Sequence, residues 1–292
     1  SLGTTIPPSV VIIVYASITE MSVGDLFAGI LIPAGFMVSL FLLYIIGRCL
    51  IQPSAGPGLD PAETQTALSA KLWLALTALL PASLLVLAVL GSIFAGIAAP
   101  TEAAAVGALG SVVLSIAYRQ FSIKVLREAV TQTIKITSMV MLIILGGVLF
   151  ASIFIVHGGD ELVAKVVEGN GLNETQIIIA FLIVVFILGF VLDWISVLII
   201  VLPIADPIIR NAEIDPLWFG VMVCIILQTS YLTPPMAPSI FYLRSIAPPE
   251  ITYMDMYKGV GPFVVAQLLT LALVALYPAT ATWLPTILFS GF

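Results

Sequence analysis

The sequence holds very little charge, one histidine and two cysteines. Lys, Arg, Asp and Glu make up 9% of its 292 residues, where a soluble domain carries about 25%, and the mean hydropathy is +1.20. That shortage excludes a soluble globular domain. The single histidine, His157, stands beside Gly158 and Gly159 at the end of an apolar segment. It reads as an interfacial loop residue, and its isolation argues against zinc or histidine-based chemistry. Cys49 and Cys224 lie in or beside apolar segments, without the spacing of a disulfide or metal framework, and read as packing residues. Also missing are the short alternating strands and polar turns of a β-barrel. No organic cofactor and no nucleic-acid partner is expected.

What remains is apolar. Hydrophobic residues make up 61% of the chain and recur in windows of about 20, the length that crosses a bilayer as a helix. The fold expected is an all-α, multi-pass membrane protein in a lipid bilayer. An apolar half-segment at 9–18 is followed by spans near 26–47, 71–95, 102–118 and 134–156. A Pro/Gly/Ser-rich loop, "CLIQPSAGPGLDPAETQTALSA", separates the first two full spans, and 122–133 reads as an amphipathic surface helix leading into the next span. The chain opens on "SLGTTIPPSV", with neither an initiator methionine nor a basic leader, and is expected to begin inside a longer unit.

Two stretches do not read as simple spans. Residues 175–210 are mostly apolar but carry Asp193 near their centre, with Pro203 and Pro207 later. They fit either one long tilted span or two half-length helices in a re-entrant hairpin with "LDWIS" at its tip. An aspartate facing lipid at the bilayer centre costs about 2.5–3.5 kcal/mol, which favours the hairpin. The second stretch, "SYLTPPMAPSIFYLRS" (230–245), sets Pro234, Pro235 and Pro238 between half-helices at about 215–230 and 236–247. A last span is expected near 255–285.

The proline break occurs twice. Placing Pro7-Pro8 on Pro234-Pro235 also places Tyr15 on Tyr242; after a three-residue insertion, Ser22, Asp25, Phe27 and Gly29 fall on Thr252, Asp255, Tyr257 and Gly259. If 175–210 is a hairpin, Arg48, Lys71, Arg119, Lys124, Arg127, Lys135, Arg244 and Lys258 share one membrane face, and only Lys165 and Arg210 take the other. By the positive-inside rule the first face is cytoplasmic. The two breaks then run in opposite directions, which makes an inverted repeat, the arrangement of many secondary transporters.

Each proline removes an amide that would bond the carbonyl four residues earlier. The carbonyls freed are those of Gly3 and Thr4 in the first copy, and of Ser230, Tyr231 and Pro234 in the second. Hydroxyls of Thr4, Thr5, Ser9, Thr229, Ser230 and Thr233 gather at the same points. Carbonyls and hydroxyls together suit a hard monovalent cation, so one sodium site per break is expected; the competing reading is that Ser/Thr side chains, neighbouring helices and waters satisfy the breaks. Half-helix N-termini without a buried Lys or Arg suit a small anionic substrate. Asp193 reads as an ion ligand, a helix cap or a proton carrier. Glu102 reads as a partner of its helix N-terminus ahead of a substrate contact, and the small residues after it predict close helix packing. Asp25 and Asp255 read as capping or orienting residues.

Four stretches, "TTIPPSVVIIVYASITEMSVGDLFAGILIP", "GIAAPTEAAAVGALGSVV", "GFVLDWISVLIIVLPI" and "DPLWFGVMVCIILQTSYLTPPMAPSIFYLRSIAPPE", resemble the large membrane subunit of the tripartite ATP-independent periplasmic (TRAP) transporters, along the whole chain. "LDWIS" with "LQTSYLTPP" is similar to a subgroup often labelled for mannitol or chloroaromatic compounds; small carboxylates, oxo acids among them, are the expected substrates. The resemblance implies an elevator-type, sodium-coupled importer in the bacterial inner membrane with a periplasmic C-terminus. Its partners would be a small membrane subunit and a periplasmic substrate-binding protein. It divides the chain into a broken helix of the first transport-domain repeat (1–21), scaffold and arm helices (22–170), a second repeat with hairpin and broken helix (171–250) and a C-terminal scaffold helix (251–292). It also implies that scaffold helices and an inward-side hairpin of the family precede the first break and are missing here. The substrate contacts expected are Thr5, Ser9, Asp193, Trp194, Ser196, Thr233 and Pro235. The first sodium site would use Gly3, Thr4, Ile6 and Pro8, and the second Gly189, Asp193, Thr229, Ser230, Tyr231 and Thr233. Two alternatives compete with this reading. One is an inverted-repeat carboxylate or anion symporter that needs no binding protein. The other is an intramembrane enzyme, for which no embedded histidine, acidic metal cluster or Ser-His pair is visible.

Overall fold

The computed structural model describes residues 2–56, 67–234, 237–248 and 250–289, and among them the secondary structure is entirely helical. Among the described residues, six helices are long and apolar enough to cross a membrane. The chain forms two compact units, Ser1–Phe41 with Ile134–Phe292, and Leu42–Thr133.

In the smaller unit, α3 (Leu68–Phe94) packs against α4 (Pro100–Ala117). Pro100 takes the first helical position, where its missing amide costs nothing. Glu102 accepts the Ala99 amide at 2.9 Å, so its role is at the helix start, as its position after Thr101 implied. A Cβ on Gly107 would meet Val89 Cγ2 at 3.1 Å. The small-residue face of α4 is thus the face against α3, and the Tyr118 hydroxyl donates to the Thr77 carbonyl at 2.9 Å to close the pair.

Two expectations need revision. Residues 122–133 are not a separate surface helix: α5 runs unbroken from Ile123 to Val156, because neither glycine nor proline interrupts it before Gly146. The span expected at 255–285 is instead α11 (Tyr253–Leu276) and α12 (Ala279–Phe289). The Tyr277 amide closes the last turn of α11 on Leu273 O at 2.9 Å, and Pro278, with no amide to offer, starts a new turn that accepts from Ala281 at 2.9 Å. Between α5 and the next apolar segment, 159–169 forms a further helix, α6 (Gly159–Gly169). His157 stands just ahead of it, exposed, with Nδ1 donating to Ile153 O at 2.8 Å.

The larger unit is built around α9 (Pro216–Leu232), on which α1 (Val10–Thr19), α7 (Glu174–Leu188), α8 (Trp194–Asn211), α10 (Pro238–Ile246), α11 and α12 all pack. From Phe219 to Ser230 every residue of α9 is buried, the state of a helix that is apolar all round. Asp215 starts it, accepting the Leu217 and Trp218 amides at 2.8 and 3.1 Å. Gly220 admits the ring of Tyr15 from α1: a Cβ there would come within 2.8 Å of Tyr15 Cε1. Cys224 is buried in the same helix and is a packing residue.

Residues 175–210 are not one long helix. α7 and α8 pack against each other across the turn 189–193 and form a helical hairpin. Asn173 and Gln176 cap the start of α7 reciprocally at 2.9 and 3.0 Å. At the far end of the hairpin, Arg210 donates from Nη2 to Thr19 O at 2.9 Å and from Nε to Asp206 at 2.8 Å. One guanidinium thereby serves the C-terminal ends of both α1 and α8, where a cation is favoured. The aligned segment starts also match: Ser22 accepts the Asp25 amide at 3.2 Å ahead of α2 (Val23–Ile51), and Thr252 accepts the Asp255 amide at 3.3 Å ahead of α11.

Candidate ion and substrate site

Both breaks and the hairpin tip meet on α9. At the second break the helix leaves its path at Thr233, whose backbone is extended (φ −94°, ψ 134°). The turn agrees with Pro234, which disfavours helical geometry in the residue before it. Because of that turn, the Thr233 amide bonds Ser230 O at 3.2 Å and the Thr233 hydroxyl takes Thr229 O at 2.8 Å. The carbonyl of Ser230 is therefore not left without a donor, contrary to the count of missing proline amides. The Thr229 and Ser230 hydroxyls donate to Ile225 O and Ile226 O at 3.1 and 3.2 Å. Beyond the break α10 starts after Ala237, held in the left-handed region at φ 32° and ψ 60°.

Opposite this end of α9 stands the hairpin tip. Asp193 caps α8, its carboxylate accepting the Ile195 amide at 3.2 Å, so the capping role among those weighed for it is realised. Gly189 brings the tip against the break: a Cβ there would lie 2.5 Å from Ser230 Oγ, so the close approach needs glycine. Between them is a cavity of about 60 Å³ lined by Gly189, Asp193, Trp194, Ser230, Tyr231 and Pro238, with Leu192 and Leu227. Two helix N-termini, those of α8 at Trp194 and of α10 at Pro238, and the C-terminal end of α9 border the same space. Positive and negative ends of helix dipoles are thus both present.

The first break adjoins it. A narrow space of about 10 Å³ is lined by Thr4, Val11, Trp194, Cys224, Gln228 and Tyr231, with Leu227; Trp194, Leu227 and Tyr231 line both cavities. Ser9 donates its hydroxyl to Thr4 O, which meets one of the carbonyls that Pro7 and Pro8 leave without an amide. The buried Thr5 hydroxyl donates to Gln228 Oε1, and Gln228 Nε2 approaches Met37 Sδ at 3.7 Å.

The structure thus brings Gly189, Asp193, Trp194, Ser230 and Tyr231 together at one cavity and sets Thr4 beside it. Thr5, Ser9, Thr229 and Thr233 lie at the breaks, with their hydroxyls engaged within the protein. Gly3 and Pro8 are exposed, Ile6 and Ser196 are half-buried, and none of these four lines either cavity. Pro235 lies outside the described residues. Gln228 was not singled out in the sequence, although a lone amide in a run of apolar residues beside Thr229 and Ser230 is a visible signal.

These features define a polytopic helical membrane protein whose polar groups converge where interrupted helices end. A family model described as "Tripartite ATP-independent periplasmic transporter, DctM component" matches residues 1–280, and the chain belongs to that family. It is a transporter component and not an enzyme. The chain is 30% identical over 98% of its length to the C4-dicarboxylate TRAP transporter large permease protein DctM of Pseudomonas aeruginosa, covering 65% of that protein. It is 28% identical over 98% of its length to the sialic acid TRAP transporter permease protein SiaT of Haemophilus influenzae, covering 45% of it. The match to the ectoine TRAP transporter large permease protein TeaC of Halomonas elongata is 28% over 97% of the chain and 65% of the relative. The chain therefore spans about half to two thirds of the length of these relatives.

Proposed function

We propose that the chain is the part of a TRAP large permease that carries the outward-side hairpin and both broken helices, and that these bind sodium and a small organic anion for coupled import. The observation that carries this reading is the cavity between Gly189 and Ser230. There, two helix N-termini and one helix C-terminus face one space with a carboxylate, a hydroxyl and backbone carbonyls at its edge. Helix N-termini attract an anion, and carbonyl and carboxylate oxygens attract a hard cation. An anion and a cation bound side by side would each offset the other's desolvation. In this reading α7 and α8 re-enter from the outer face, the repeats are inverted, and the larger unit contains the moving part of an elevator. A periplasmic binding protein delivers the substrate and a small membrane subunit completes the assembly. The relatives' names span C4-dicarboxylate, sialic acid and ectoine, so kinship sets the machinery and the site must set the substrate. Carboxylates are the class it favours.

The test is uptake by the complete transporter in proteoliposomes, with its binding protein and an imposed sodium gradient. Ser230→Ala combined with Thr233→Val is expected to abolish the sodium dependence. Sodium-coupled uptake that persists at full stoichiometry in this double variant, and in Thr5→Val, would sink the assignment of the breaks as ion seats.

A further inference from the structure

A third, larger cavity, of about 460 Å³, lies between α1, α5 and α8. Its walls include Val14 and Ile18 of α1, Val148 and Ile155 of α5, and Ile199 and Pro203 of α8. No charged side chain lines it, and of its two serines Ser17 already donates to Ile13 O within its own helix at 2.8 Å. A space of this kind stays dry or takes an apolar guest. It shares no lining residue with the ion and substrate site.

One end of this slot is charged. Along α8, Ile199, Pro203, Asp206 and Arg210 recur at helical spacing and form one stripe. The first two line the cavity, and the last two continue the stripe beyond it. Arg210 bonds Thr19 O, the carbonyl immediately after the lining residue Ile18, so the guanidinium stands over the same α1–α8 groove. Its side chain is 47% exposed and that of Asp206 24%. Nε and Nη2 of the guanidinium bond to described residues, and Nη1 has no printed partner among them.

We propose that the slot is a phospholipid site, holding one acyl chain between α1, α5 and α8 with its headgroup phosphate on Arg210. The adjacent Asp206 carboxylate selects a headgroup that also carries an ammonium, which makes phosphatidylethanolamine the occupant. Three things support this choice: the lining is apolar but for Ser17 and Ser152, α5 is of membrane-crossing length, and a basic group beside such a helix can hold a lipid phosphate. The paired cation and anion at one end complement a zwitterion better than a purely anionic lipid. The proposal is independent of what the protein transports.

The complete transporter would be purified in mild detergent, re-lipidated with phosphatidylethanolamine or phosphatidylglycerol of matched chains, and examined by native mass spectrometry. One tightly retained phosphatidylethanolamine per large subunit is expected, in preference to phosphatidylglycerol. Ala151→Phe, which fills the slot from a buried position, and Val148→Trp, which fills it from an exposed one, should each lower retention about tenfold, the scale of losing burial of a few methylenes. Asp206→Asn should erase the preference between the two lipids, and Arg210→Gln should lower the retention of both. Melting temperature identifies any variant that fails to fold, and the two fillings approach the slot from different positions. The proposal falls if the folded variants retain lipid like the wild type. It falls equally if the wild type retains none because another protein segment fills the slot, or if it holds both lipids alike.

Discussion

The first and second broken helices carry the same proline pair but solve the lost backbone bonds differently. In the first, Ser9 closes on Thr4 O and the Thr5 hydroxyl reaches across to Gln228; the groups that could face a ligand are turned onto the protein. In the second, Thr233 repairs its own helix end through both amide and hydroxyl, and the space beyond it opens to the hairpin tip. A proline break is therefore not in itself a binding site. On the reading proposed above it becomes one where a second element, here the Gly189–Asp193 tip, stands opposite it.

Gly189→Val should break this contrast most severely. It places a branched side chain where even a Cβ meets Ser230 Oγ at 2.5 Å, and overpacking of that kind costs about 1–3 kcal/mol. Uptake should be lost, and Ser230→Gly in the same chain should restore part of it; a thermal-melting and uptake cycle over the two positions would read the coupling. An additive result would mean that tip and break do not touch in the working protein.

The tie that anchors the first break comes next. Gln228→Leu leaves the buried Thr5 hydroxyl without its acceptor, at a cost of about 1–3 kcal/mol, whereas adding Thr5→Val removes both polar groups and should recover most of the loss. Detergent melting curves of the single and double variants check this. A double variant less stable than either single one would show that Thr5 and Gln228 serve something other than each other.

Smaller effects sharpen the comparison at the tip. Asp193→Ala should cost about 1 kcal/mol through loss of the cap, while Asp193→Asn keeps the cap. If Asp193 also contributes charge to the cavity, Asn retains the melting temperature but lowers the apparent affinity for sodium in uptake assays. Unchanged sodium affinity in Asp193→Asn would leave the residue a cap alone. Least affected should be Glu102→Gln in the smaller unit: its side chain serves the Ala99 amide, and uptake should match the wild type.

Much of the fold was legible because the bilayer limits the choices. Segments of about 20 apolar residues have to be helices, and an aspartate in the middle of 175–210 cannot be left in lipid, so the hairpin followed from Asp193. Pro234 marked the end of α9 through the backbone of the residue before it. The helix boundaries that went astray show the limit of that logic. The start of α5 is amphipathic yet continuous with an apolar span, since nothing in it breaks a helix. Conversely, 255–285 is mostly apolar yet interrupted at Pro278. Of the candidate site, Gly189, Asp193, Trp194, Ser230 and Tyr231 were chosen from the sequence and do share a cavity. Where each hydroxyl would turn was not legible. Thr5, Ser9 and Thr233 could equally have faced a ligand, and only their neighbours decided that they bond Gln228, Thr4 O and Thr229 O.

By itself, then, the sequence determined that the chain is a helical membrane protein, where the two paired proline breaks fall, and that Asp193 needs shelter. Those are consequences of local covalent geometry and of the cost of polar groups in hydrocarbon, and both are properties of short segments. Only the tertiary structure decided that the hairpin tip stands against the second break, that Gln228 fastens the first, and that Arg210 joins the ends of α1 and α8. Each of these pairs residues far apart in the chain, and their meeting depends on how whole helices pack around α9.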